Sequence, residues 1–174
     1  MKFKLVYIVL IYCTSAFAQK EVKINQNITV VLPTDATRYN DTSLTNTIAK
    51  NLGTKDLPSI SLDKFVYKVD DIVFRFIEIK NIQSVNFLDK EQKQIQSLEG
   101  IENNLKRQTV TKKINSNHFL LETYEGKKHG YFNFYCLNPK KNKGFRAFIK
   151  YNLSNKNESS KIIQKMLESI RFND

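Results

Sequence analysis

His118, His129 and Cys136 are the side chains whose types could perform nucleophilic or acid–base chemistry. A catalytic thiol needs a partner that activates it. His129 stands seven residues before Cys136, so an extended strand holds the two about 20 Å apart. His118 opens the run HFLLETY, and Cys136 lies in YFNFYCL. If the turn at 125–130 joins these runs symmetrically, His118 falls opposite Leu137, beside Cys136. Contact with the thiol is then open. Cys136 also alternates with Phe132 and Phe134, however, which puts it on an apolar face as a buried, inert thiol. Two separated histidines and one thiol do not make a zinc spacing. Asp70-Asp71 lacks the loop of alternating acids that ends in glycine and holds calcium, and it reads as a turn. No phosphate-cradling glycine loop and no Gly-x-Ser-x-Gly elbow occurs. The expectation is a protein that is not an enzyme, with no catalytic residue, metal or cofactor.

A second constellation concerns charge. Residues 138–144 read NPKKNKG, and Arg146 follows just inside the next strand. Alternate turns of an antiparallel meander share one end of the sheet. The turns at 115–117 and 138–144 therefore belong together, and Lys127 and Lys128 belong to the other end. Lys140, Lys141, Lys143 and Arg146 are the candidate contact for an anionic partner, with Lys112 and Lys113 approaching from the neighbouring edge strand.

These residues need elements to hold them. KINQNITVVL, Lys23 to Leu32, reads as one strand stopped by Pro33. Asn40 caps a short helix whose apolar face is Leu44, Ile48, Ala49 and Leu52, ended by Gly53. Phe65–Val69 and Ile72–Ile79 form a hairpin about Asp70-Asp71. IVFRFIEI is almost continuously apolar, as a strand covered on both faces would be. Leu88, Ile95, Leu98, Ile101 and Leu105 recur at helical spacing, with Asn86 as cap, Asp89 in the first turn and a break near Gly100. Thr109–Ile114 reads as an edge strand. His118–Tyr124, Tyr131–Leu137 and Phe145–Leu153 then build a meander. In the last of these Phe145, Ala147, Ile149, Tyr151 and Leu153 face one way, and Arg146, Phe148, Lys150 and Asn152 the other. A closing helix carries the stripe Ile162, Ile163, Met166, Leu167 and Ile170, with Lys156, Lys161 and Lys165 off it and Asn155 and Glu158 spaced as a capping pair. The fold class is α+β, an antiparallel β-sheet meander with helices packed on it.

The chain begins MKFK, continues with the uncharged run Leu5–Cys13, and reaches Ala16-Phe17-Ala18. The apolar run is too short to span a bilayer. The small residues at 16 and 18 fit a signal-peptidase site between Ala18 and Gln19. The bulky Tyr12 before Cys13 argues against a lipid anchor there. The expected organisation is a signal peptide at 1–18 and a single α+β domain at 19–174. Of 174 residues, 156 then remain, enough for one core, with no transmembrane segment. Cys136 is left alone, which excludes an internal disulfide. Loss of Lys2 and Lys4 takes the net charge from +11 to +9. Such a surface favours anionic partners: phospholipid head groups, lipopolysaccharide, acidic glycans or acidic proteins. With export, the expected partner is not a nucleic acid, and the expected place of action is a periplasm or the outside of the cell.

Two stretches carry a resemblance: the strand-and-proline start ITVVLPT, Ile28 to Thr34, and the finish MLESIRF, Met166 to Phe172. With the order of elements between them, the chain resembles the PsbP-like α/β/α sandwich family. That family includes photosystem-associated extrinsic proteins, a Ran-binding protein and many exported bacterial proteins. The resemblance implies a non-catalytic domain that binds a protein or supports an assembly, and it assigns no residue a role. The expected function is an exported binding or assembly domain recognising a protein or an anionic envelope component. The alternative is a carrier or sensor of a small apolar ligand, held in a gap between sheet and helix that the many aromatic side chains could line.

Overall fold

The structure, a computed structural model, describes residues 19–39, 65–79, 82, 86–98 and 106–173. The leader at 1–18, the helix expected about residues 44–53 and the break at Gly100 lie outside the described residues. The first strand differs from its expected form. Residues 23–32 are not one strand but parts of a hairpin, β1 (Gln19–Asn25) and β2 (Ile28–Pro33). Asn25 makes the turn: its Oδ1 accepts the Asn27 N–H at 2.8 Å, a local hydrogen bond that competes with the strand ladder.

Three strands form a small sheet in the order β1, β2, β10, where β10 is Arg171–Phe172. Among the described residues, seven form the main sheet. Its strands are β3 (Thr37–Arg38), β4 (Val66–Val69), β5 (Ile72–Ile79), β6 (Lys106–Ile114), β7 (Asn117–Glu125), β8 (His129–Leu137) and β9 (Gly144–Asn152). Their order is β3-β4-β5-β9-β8-β7-β6, and every pairing is antiparallel. The expected hairpin β4–β5 is present, and Asp70 takes the left-handed conformation (φ 47°) that its turn requires. β6 to β9 are the expected meander. Asn115 and Ser116, at φ 47° and 70°, form the two-residue turn between β6 and β7, the twist that suits a tight hairpin.

Strand alternation decides what packs where. Phe119, Phe134, Cys136, Phe145, Ala147, Ile149, Phe74 and Phe76 line one face of the main sheet. The small sheet and helix α2 (Lys156–Ser169) cover that face with Ile24, Val30, Leu32, Ile163, Met166 and Leu167. Each such side chain contributes about 1.5–3 kcal/mol on burial. Leu120 and Tyr135 lie on the opposite face under Ile95, Phe87 and Leu88 of helix α1 (Phe87–Leu98). The domain is therefore α+β, with a helix on each side of an antiparallel sheet. The apolar stripe of α2 is where its spacing placed it, but its cap is not. Asn155 makes no capping hydrogen bond and its Nδ2 reaches Asp71 Oδ2 at 3.2 Å. Asn152 instead accepts the Ser154 N–H at 3.1 Å, starting a short 3-10 turn at Leu153–Asn155.

Candidate functional site: a basic end of the main sheet

The cross-strand register assembles this end. Lys113 lies opposite His118, His118 opposite Leu137, and Leu137 opposite Gly144. The alignment of His118 with Leu137 is the one expected from a symmetric turn at 125–130. These four residues share the face that α1 covers. The other end of the meander is marked by Glu125 opposite Gly130, and Lys127 and Lys128 lie in the turn between β7 and β8 at that end.

The turn NPKKNKG is organised by Asn138, which is buried. Its Oδ1 accepts the N–H groups of Asn142 (2.9 Å) and Lys143 (3.1 Å), and its Nδ2 donates to Asn142 Oδ1 at 2.8 Å. The Asn138 carbonyl accepts the Lys141 N–H at 2.9 Å. Lys141 itself takes φ 56°. The backbone is thus tied down, and the direction of each lysine follows from it.

The four candidate residues do not form one cluster. Lys140 is exposed at the turn tip. Lys141 enters a groove of about 240 Å³ whose walls include Leu88 and Asp89 of α1, Lys113 of β6 and His118 of β7. Lys143 turns toward the small sheet, where its Nζ donates to the Asn173 carbonyl at 3.2 Å. Arg146 lies one row further in on the α1 face, opposite Tyr135. Its guanidinium stands 4.2 Å from the Phe148 ring centre and 4.8 Å from that of Tyr135, a cation–π arrangement in which the charge also packs. Lys113 does approach the turn. Lys112, one residue earlier, starts from the other face of its strand but also borders the groove.

His118 reports the local field. Its imidazole is held below its ordinary range, first by desolvation and then by the charges of Lys113 and Lys141. Among the described residues, Lys112, Lys113, Lys140 and Lys141 form no salt bridge. Asp89 is, among the described residues, the one acid in the groove walls. Chemically, this end can hold an anion by charge and by lysine N–H donation. His118, weighed in the sequence only as a partner for a thiol, belongs to this groove.

The thiol reading resolves by alternation. Cys136 pairs with Phe119 and Phe145 on the core face, while His118 points to the other face. The contact between them that the sequence left open is not made. Cys136 is fully buried, and burial pushes its thiol pKa well up. His129 pairs with Asn152 at the opposite end of β8. Among the described residues, no three His, Cys, Asp or Glu side chains converge as a metal site. No helix among them is long and apolar enough to cross a membrane.

A polar cluster on the α1 face escaped the sequence reading. Glu122, buried, meets Arg107 Nε at 3.1 Å and accepts from Asn133 Nδ2 at 2.9 Å. The Arg107 guanidinium lies 5.4 Å from the ring centre of Tyr124, which stacks on Tyr131 at 4.7 Å. The signal was available: Glu122 shares its strand face with Leu120, and an acid inside an apolar run needs a cation.

The molecule is an α+β domain with a basic sheet end. No protein-family model and no curated protein matches the chain. Among solved structures, the Saccharomyces cerevisiae Ran-binding protein Mog1p overlays it with a TM-score of 0.45 and 13% identity, over 91% of this chain and 97% of that one. A mutant of Mog1 overlays with a TM-score of 0.42 and 14% identity, over 90% and 97%. Within the resemblance noted above, these overlays concern the Ran-binding protein and not the photosystem-associated proteins. At such identities and TM-scores they assign this chain neither a partner nor a site residue.

Proposed function

We propose that this protein is a non-catalytic binding or assembly domain that recognises an anionic partner, a protein or envelope component, through the basic end of its main sheet. The observation that carries the reading is that Lys113, His118 and Lys141 line one groove at this end of the sheet. Lys140 extends the contact outward, and Lys143 and Arg146 flank it. The charged start, the short apolar run and Ala16-x-Ala18 support export, with cleavage between Ala18 and Gln19 and a periplasmic or extracellular site of action. The test is capture from envelope extract on immobilised protein, eluted in salt steps. A partner held by exposed charge is released at a few hundred millimolar salt, because screening acts within about 10 Å at 0.1 M. Retention through molar salt, or undiminished capture by a Lys113→Glu/Lys141→Glu variant, would overturn the reading.

A second reading has its own observation. A cleft of about 380 Å³ between α2, β2 and the β4–β5 turn is lined by Val31, Leu32, Pro33, Val69, Ile162 and Met166 among others. Its size and the apolar part of its lining suit a small apolar ligand, although Asp35, Asp70, Glu158, Lys161 and Lys165 also border it. Native mass spectrometry of gently purified protein tests it, and the absence of a co-purifying ligand counts against it.

A further inference from the structure

We propose that the outer edge of β6 is a docking strand: an extended, acidic segment of a partner protein adds to the main sheet beside it. The inference rests on the anionic-partner reading and specifies the form in which that partner binds. Among the described residues, β6 ends the sheet, paired on one side with β7. Its nine residues hold an unbroken register with β7, from Lys106 opposite Glu125 to Ile114 opposite Asn117. Bulges, prolines, very short length and charged side chains, lysine above all, blunt an edge. The strand KRQTVTKKI lacks the first three but carries four basic residues, which repel a like-charged strand and attract an acidic one.

Side chains along this edge are exposed. Val110, Thr111, Lys112 and Lys113 are exposed in succession. Successive strand residues point to opposite faces, so neither face of this stretch is covered. Val110, at 53%, is the one exposed large hydrophobic among the described residues. Beside it a shallow depression is lined by Gln108, Thr109, Leu121, Thr123 and Phe132. It can seat an apolar side chain of the incoming strand. Strand addition divides its work in this way: main-chain hydrogen bonds supply affinity and pockets for alternate side chains supply specificity.

Charge selects the occupant. β6 carries four basic residues and no acid. A second copy pairing antiparallel about Val110 would set Arg107 against Lys113 twice, and like charges directly opposite are destabilising. An acidic strand of alternating pattern sets its acids beside Lys113 on one face and its apolar residues beside Val110 on the other. Lys113 also belongs to the groove with His118 and Lys141, so the docked strand is continuous with the basic sheet end.

The test uses a capped ten-residue peptide alternating glutamate with valine or threonine, titrated into ¹⁵N-labelled protein. Expected are a tenfold or greater gain in hydrogen-exchange protection at alternate amides within Arg107–Lys113, and a tenfold or greater loss of affinity on N-methylating one of the two alternate sets of peptide amides but not the other. Val110→Asp should weaken binding comparably without unfolding an exposed site. Lack of binding at millimolar peptide overturns the inference. So does binding that leaves β6 unprotected and ignores N-methylation. In either case the basic-end reading stands or falls separately, on the salt-sensitive capture and its Lys113/Lys141 variant. Peptide-free dimers with protected β6 amides would give the edge to a second copy and would likewise overturn the proposal.

Discussion

Lys113 stands directly across from His118 in the β6–β7 register, and Lys141 approaches the same imidazole from the turn after β8. The folded pKa of His118 is lowered from 6.5. The unfolded chain therefore takes up this proton first as pH falls. The stability contributed by neutral His118 is complete above about pH 6.5 and is lost as pH drops below it toward the folded value. In Lys113→Gln the imidazole should titrate higher, though still below 6.5 because desolvation is the larger cause. Docking of an anionic partner should raise it too. Proton NMR of the imidazole against pH reads both changes, and an unmoved titration curve in both experiments would break the link between these residues.

Charge position should matter more than charge count. Lys113→Glu/Lys141→Glu and Lys127→Glu/Lys128→Glu alter net charge equally but lie at opposite ends of the meander. The first should weaken partner capture tenfold or more at 0.1 M salt and the second less than threefold, since opposite sheet ends exceed the screening length. Equal losses would mean that net charge alone drives capture.

Ser169 joins α2 to the small sheet. Its Oγ donates to the Met166 carbonyl at 2.6 Å and accepts the Val31 N–H at 2.8 Å. Ser169→Ala leaves that N–H without its acceptor in a half-buried place. A loss of about 1–3 kcal/mol is expected, read by urea unfolding with an unchanged m-value.

Glycine 144 is required by space. A Cβ there would meet the Cys136 carbonyl oxygen at 2.7 Å and collide with Leu137 Cδ2. Backbone cannot yield as a side-chain tip can, so Gly144→Ala should cost about 1–3 kcal/mol. At Gly126 the nearest atom would lie at 3.6 Å, an ordinary contact, and Gly126→Ala should cost less. Thermal melts of the two variants compare them directly, and equal melting points would contradict the packing described for the β8–β9 turn.

Cys136 should resist thiol reagents in the native protein and react once unfolded, because burial disfavours the thiolate. Cys136→Ser should leave partner capture intact while lowering stability by about 1–3 kcal/mol, the cost of an unsatisfied buried hydroxyl. Rapid native labelling would mean that the core face opens at β8.

Much of the frame was legible along the chain. Period-two alternation in Phe145–Tyr151 gives the core face of β9 directly, because successive strand side chains point to opposite sides. The spacing of Ile163, Met166 and Leu167 gives the buried side of α2. Where local signals compete, reading along the chain failed. KINQNITVVL is apolar enough for one strand, but the Asn25 side chain bonds its own backbone and turns it. Asn155 has the spacing of a cap, but Asp71, distant in sequence, takes its side chain.

By itself the sequence determined the α+β class, the meander, the sharing of one sheet end by two turns and the buried state of Cys136, because these follow from short-range periodicity and turn chemistry. Only the tertiary structure decided that Lys141 enters the groove, that Lys143 is tethered on the other side, and that Arg146 stacks between aromatic rings. It also decided that Val110 stands uncovered on an edge. The physical reason is one of range: a lysine's position in the sequence gives its charge, but its neighbours are set by register across strands and by what packs on each face.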